Sequence, residues 1–316
     1  MSAERVKRQK FRHEPLSFRG PKILSVWANK GGVGKTTVVS LLGDEMFRRG
    51  KRCLLVDLSP QMNLTANVLG SEDAFEAYCD KLSLENQGSQ GSQRSPDIAS
   101  KLEGLELRDV RGNMVELCVD PIVIKQGMGL GSGCLHLLPG SPCFGVFEYI
   151  WTQQLMRGEH MLFCHAIRAV LTKYNAKHEY DCIILDCAPD LYTSNRVALW
   201  NSDLVLIPSG NDAYCKRGFE RARTIFPPSE GYKRVRSTLK VLGMVETRTT
   251  PSDTAYPNSD NLNTSFTRLL GEFCEGGCAK VFSPIEYIAG LGQIPLQEMA
   301  YKASKGIMEI IDSIMC

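Results

Sequence analysis

The sequence holds no uncharged apolar run near the roughly 18 residues that a membrane-crossing helix requires. Its N-terminus has no apolar h-region of the secretory kind, being studded instead with Arg5, Lys7, Arg8, Lys10 and Arg12. Neither sign of charge dominates: 37 Lys and Arg stand against 35 Asp and Glu, for a formal net charge of +2. That balance excludes a wholly basic nucleic-acid coat protein and an acidic solvating tail. There is no internal repeat, no helix-turn-helix pattern and no CxxC pair, although the chain has 12 cysteines. Zinc sites usually show two close pairs, and the nearest approach is the CxxxC spacing of Cys274 and Cys278. Most of the thiols therefore read as small buried apolar groups, as Cys182 and Cys187 do in DCIILDCA. Together these absences lead us to expect a cytoplasmic protein in a reducing compartment.

What is present is a globular composition, 43% hydrophobic and 23% charged, in a chain of 316 residues. Residues 1–20 read as a basic flexible tail, with seven Lys and Arg in the first 22 positions against Glu4 and Glu14. Short apolar runs follow at Lys22–Trp27, Cys53–Leu58, Asp181–Ala188, Asp203–Ser209 and Leu239–Thr247. They lack polar alternation, as strands covered on both faces do. Between the first two, Val38, Leu41, Leu42 and Met46 line one face of a predicted helix, Thr36–Arg49, with Gly50 as its stop. The expected fold class is α/β: a doubly wound, mostly parallel sheet flanked by helices. One domain is expected over 21–316, with helices and loop inserted within about 71–135. The low-complexity Gln87–Pro96 and the polar Arg248–Ser265 read as loops.

The first strand runs into Ala28-Asn29-Lys30-Gly31-Gly32-Val33-Gly34-Lys35-Thr36-Thr37 and then into the helix. Strand, glycine loop and helix are the context that phosphate binding requires. Glycines let backbone N–H groups turn inward around an anion, and the helix N-terminus adds partial positive charge. Lys35 can reach the β- and γ-phosphates, and the Thr36 hydroxyl is placed to bind Mg²⁺. The first glycine of the general pattern GxxxxGK[ST] is replaced by Asn29, and an additional lysine, Lys30, stands at the mouth of the loop.

KGGVGKTT resembles the deviant Walker A motif of the ParA/MinD family of P-loop ATPases. The resemblance continues through Val56-Asp57-Leu58-Ser59-Pro60-Gln61-Met62-Asn63-Leu64-Thr65, similar to the switch I pattern DxDPQxNxT. It extends to Ile183-Ile184-Leu185-Asp186-Cys187-Ala188-Pro189, similar to Walker B and switch II, to Leu135–Gly140, and to Asp203–Pro208 and Thr247. It is nearest to the ParA-type partition ATPases. The resemblance implies a cofactor, ATP/ADP with Mg²⁺, in a cradle of Lys30, Gly31, Gly32, Val33, Gly34, Lys35, Thr36 and Thr37. Thr36 would ligate the metal, and Asp186 would hold it through water. Asp57 would support switch I, Pro284 would approach the base, and Lys30 would reach the partner's phosphates across an ATP-dependent homodimer. Ser59 stands where the family's second switch I Asp positions the attacking water. A hydroxyl can hydrogen-bond water but cannot orient it with charge, so hydrolysis is expected to be slow or partner-dependent.

ParA relatives bind DNA non-specifically, and the basic stretch 216–240 offers Lys216, Arg217, Arg221, Arg223, Lys233, Arg234, Arg236 and Lys240 for nucleoid association. A centromere- or cargo-binding partner protein is implied. The alternatives are a MinD-like positioning ATPase and an ATP-bound protein scaffold without DNA binding. Membrane association is not expected. The polar positions of the apolar C-terminal segment are Glu309 and Asp312, which acidic lipids repel, and Ile307, Ile310, Ile311 and Ile314 read as a core stripe.

Overall fold

A computed structural model describes residues 20–87, 121–128, 132–141, 160–189, 193–210, 239–249, 280–286 and 304–316. The described strands are β1 (Lys22–Val26), β2 (Arg52–Asp57), β3 (Ile122–Gln126), β4 (Cys134–Leu138), β5 (Cys182–Asp186), β6 (Leu204–Ser209), β7 (Lys240–Thr249) and β8 (Lys280–Glu286). They form one sheet in the order β3-β4-β2-β5-β1-β6-β7-β8. Every pairing is parallel except β3 with β4. The described helices are α1 (Lys35–Arg48), α2 (Asn63–Leu69), α3 (Glu72–Gln87), α4 (His160–His178), α5 (Thr193–Asn201) and α6 (Lys305–Met315).

The central strands are buried almost from end to end, as apolar runs without alternation demand. In α1 the predicted face is buried: Val38, Leu41, Leu42 and Met46 join Leu55, Ile184 and Leu135 in one core. The helix also carries the i,i+4 pairs Arg48–Asp44 and Arg49–Glu45, and the buried Asp44 pairs in addition with Lys125 of β3. The stripe Ile307, Ile310, Ile311 and Ile314 of α6 is buried in the same core, at roughly 1.5–3 kcal/mol for each such side chain. Ser304 caps that helix, its Oγ accepting from Ile307 N. Glu309 takes bonds from Ser283 N and Oγ at 2.9 and 3.0 Å, so the acidic position of α6 faces β8. Among the described residues no helix is long and apolar enough to cross a membrane.

The expectation of helices and loop over 71–135 needs correcting. The stretch contains α3, but also β3 and the first residues of β4, which extend the sheet past β2. β3 is an edge strand in which Val123 is exposed and the register shifts between Val123 and Lys125, so its apolar pattern is broken. Gln87 closes α3, and Arg248 and Thr249 belong to β7. The rest of those two predicted loops, residues 1–19 of the tail, Cys274 and Cys278 lie outside the described residues.

Candidate functional site

Parallel order brings the C-terminal ends of β2, β5, β1 and β6 to one edge of the sheet, where α/β domains bind ligands. β1 delivers the glycine loop there. Gly32 and Gly34 have φ of 74° and 75°, a region that a side chain disfavours. Among the described residues no side chain caps α1, so its first-turn N–H groups remain open to an anion. Thr247 of β7 braces the loop, its hydroxyl donating to Val33 O at 2.7 Å. Lys35 is 7% exposed, and its Nζ donates to Lys30 O at 2.9 Å. Gly31 and Gly32 face solvent.

β2 and β5 end on register-paired carboxylates, Asp57 and Asp186, both essentially without exposure. The Thr36 hydroxyl donates to Asp186 Oδ2 at 2.8 Å. Asp186 Oδ1 is buried and has no hydrogen-bond partner among the described residues. Burial pushes the Asp186 carboxyl up to about 8, and the nearby Asp57 adds to the rise, while the Thr36 bond and the Lys35 charge pull the other way. An orphaned buried oxygen beside a threonine hydroxyl is a donor set suited to a hard cation.

Asp57 differs. Its Oδ1 accepts from Ser59 N at 3.0 Å, and its Oδ2 accepts from Thr65 N and Oγ1 at 2.9 and 2.7 Å. Burial raises its pKa, and these donors oppose the rise. Its acceptors are spent on the turn that follows β2, which leaves it supporting that turn. Ser59 is 5% exposed, and its Oγ accepts from Gln61 N at 3.2 Å.

A family model described as an AAA domain matches residues 21–226. The chain belongs to this family of P-loop domains, the one that includes ParA and MinD. Within the family it is 28% identical over 203 residues to the sporulation initiation inhibitor protein Soj of Bacillus subtilis, covering 63% of this chain and 62% of Soj. It is 46% identical over 205 residues to an uncharacterized protein of Mycobacterium tuberculosis, covering 65% of this chain and 52% of that one. The chain spans between 39% and 62% of the length of the first curated relatives it matches. An ATP complex of a variant of the Cyanothece protein McdA shares the fold, with a TM-score of 0.63 at 16% identity over 93% of this chain and 96% of that one.

Within this P-loop domain the structure brings together Lys30, Gly31, Gly32, Val33, Gly34, Lys35, Thr36 and Thr37 with the strand ends that carry Asp57 and Asp186. Pro284 is exposed within the edge strand β8, next to Ile285, the register partner of Thr247. The basic stretch 216–240 lies outside the described residues, except for its last two. Sequence reasoning did not single out Thr65, Gly140 or Tyr78, which stand behind Asp57, nor Asn195, whose Nδ2 donates to Ala188 O at 3.0 Å. Thr65 carried a signal as the last residue of DxDPQxNxT. Tyr78 carried none, because its partner is a backbone carbonyl 62 residues away.

Proposed function

We propose that this chain is a Mg-ATP-dependent partition switch: it dimerises around ATP, binds DNA without sequence preference, positions DNA or another cargo, and hydrolyses ATP slowly to ADP and phosphate. The observation that carries this reading is Asp186, with one oxygen fixed by Thr36 and the other bare, beside an open glycine loop. Thr36 would hold Mg²⁺ directly and Asp186 through water. Bound there, the ion supplies Lewis-acid neutralisation of the β- and γ-phosphate oxygens. Backbone N–H groups from Gly31 to Thr37 would cradle the phosphates. Lys35 exchanges the Lys30 carbonyl for phosphate oxygen, and Lys30 reaches the partner subunit's nucleotide. Pro284 is the candidate for the base side.

Slow turnover follows from Ser59. Its hydroxyl is engaged by Gln61 N, and it carries no charge with which to orient a water. Asp57 cannot replace it, because its oxygens are already occupied. The next carboxylate after the Asp186–Pro189 motif, Asp190, lies outside the described residues. A membrane-docking C-terminal helix is disfavoured, since the isoleucine face of α6 is used in the core. Members of the family are ATPases, and Soj and Protein IncC of Escherichia coli are among the relatives matched, which supports partition over a pure scaffold.

The test is phosphate release with and without duplex DNA, alongside DNA retention at low and high salt. Slow release with ATP-dependent, salt-sensitive retention is expected. Failure to bind ATP would reject the reading. ATP binding without DNA retention would favour the scaffold.

A further inference from the structure

The nucleotide site leaves unexplained a run of hydrogen bonds behind Asp57. Thr65 is fully buried, and its hydroxyl donates to Asp57 Oδ2 while accepting from Gly140 N at 2.9 Å. Used in both directions, that hydroxyl has no freedom to rotate. Gly140, in the turn after β4, presses against the carboxylate: a Cβ there would stand 3.0 Å from Asp57 Cγ and 3.2 Å from Met62 Cγ. The Gly140 carbonyl in turn accepts from the Tyr78 hydroxyl of α3 at 2.9 Å. Four elements, α3, the β4 turn, the start of α2 and the end of β2, thus converge on one carboxylate.

The turn they hold is under strain. Met62, at the start of α2, has φ 51° and ψ 34°, the left-handed region, without being glycine. A side chain disfavours that conformation, which persists only where its surroundings enforce it. Met62 is 5% exposed, and its N–H donates to Ser59 O at 3.0 Å, so the strained residue and Ser59 close the same turn.

We propose that Tyr78, Gly140 and Thr65 are positioning residues through which α3 holds the Ser59–Met62 turn in its strained form and so sets how Ser59 faces the nucleotide. This rests on the ATP-switch reading for its consequence, though not for its geometry. Loosening the Tyr78 contact lets the turn relax, and anything that moves α3 alters turnover without touching the phosphate cradle.

The experiment is hydrogen exchange on the full chain, free of nucleotide and metal, for wild type, Tyr78→Phe, Thr65→Val and Thr65→Ser. Loss of one net hydrogen bond predicts exchange about five-fold faster at the amides of Ser59, Gln61, Thr65 and Gly140 in Tyr78→Phe. The Val38 amide, bonded to Gly34 O at the phosphate loop, is expected to be unchanged. Thr65→Ser is expected to keep the wild-type rates and Thr65→Val to lose them. Paired ATP measurements are expected to show altered turnover in Tyr78→Phe at unchanged affinity. Unchanged exchange at residues 59–65, or an equal rise at Val38, would overturn the proposal. If wild type binds no ATP, the switch reading fails by itself, and the exchange comparison still decides the contact.

Discussion

β2 and β5 run side by side in one register, and their two ends treat burial in opposite ways. Near their start Cys53 faces Cys182, and at their end Asp57 faces Asp186. All four are buried. Burial pushes the Cys182 thiol up to about 12 and Cys53 well above its ordinary value. The thiols therefore stay neutral, burial of their apolar surface favours the fold, and they are chemically quiet. The same burial raises two carboxyls that the proposed chemistry needs as anions, and an unsatisfied oxygen remains at Asp186. Burial alone does not make a site. β2 and β5 place this pair of buried acids at the edge where an open loop and a helix N-terminus can be met by a ligand.

The contrast breaks most sharply at Asp186. Asp186→Asn keeps an acceptor for Thr36 and removes a carboxyl whose ionisation burial disfavours. The metal-free protein is expected to melt higher, while Mg-dependent ATP affinity falls on the order of 10- to 100-fold. Titration calorimetry with and without Mg²⁺, next to a thermal melt, checks both signs. A variant that melts lower and binds equally well would remove the distinction between the two ends.

Next in size is Ser59→Asp, which places a third acid at the same edge. Turnover is expected to rise at least about ten-fold as the attacking water gains a charged partner. Metal-free stability is expected to drop, because the new carboxylate is buried beside Asp57. Phosphate release and a melt on the same preparation read the two effects. No rise in rate would remove Ser59 from the water-positioning role.

At the other end Cys182→Ala is expected to cost about 1 kcal/mol in urea unfolding, through a small packing defect. ATP affinity should stay at the wild-type value. A changed affinity would mean that the two ends are not separable.

The smallest expected effect lies away from both ends. Glu309, bonded by Ser283 N and Oγ, has its pKa lowered, chiefly by the backbone bond. An acid depressed in the folded state contributes stability above its unfolded value of 4.5, and that contribution fades as pH falls through the lower folded value. Wild type should therefore lose more stability than Glu309→Gln as pH drops below about 4.5, with ATP binding at neutral pH the same in both. Equal acid sensitivity of the two proteins would sink the assignment.

How legible each part was follows from the range of the interactions involved. The glycine loop, α1 and the central strands were readable because each is specified by contiguous residues: KGGVGKTT between an apolar run and an amphipathic helix. Asp57 and Asp186 were readable as strand-end acids in motifs. Their unequal roles were not, because that difference depends on which donors the fold delivers, Thr65 and Ser59 to one and Thr36 to the other. β3 escaped notice because an edge strand with an exposed valine and a register shift lacks the signature of a buried strand. Tyr78 was invisible because a tyrosine on a polar helix reveals nothing of a carbonyl far along the chain.

Whether nucleotide state sets association in a slow switch is decided by the light-scattering mass of the full chain in Mg-ATP and in Mg-ADP, with released phosphate measured in the same samples. A dimer in Mg-ATP that persists while little phosphate appears, and a monomer in Mg-ADP, are expected. The same mass in both nucleotides, or rapid phosphate release without any partner, would contradict the slow switch.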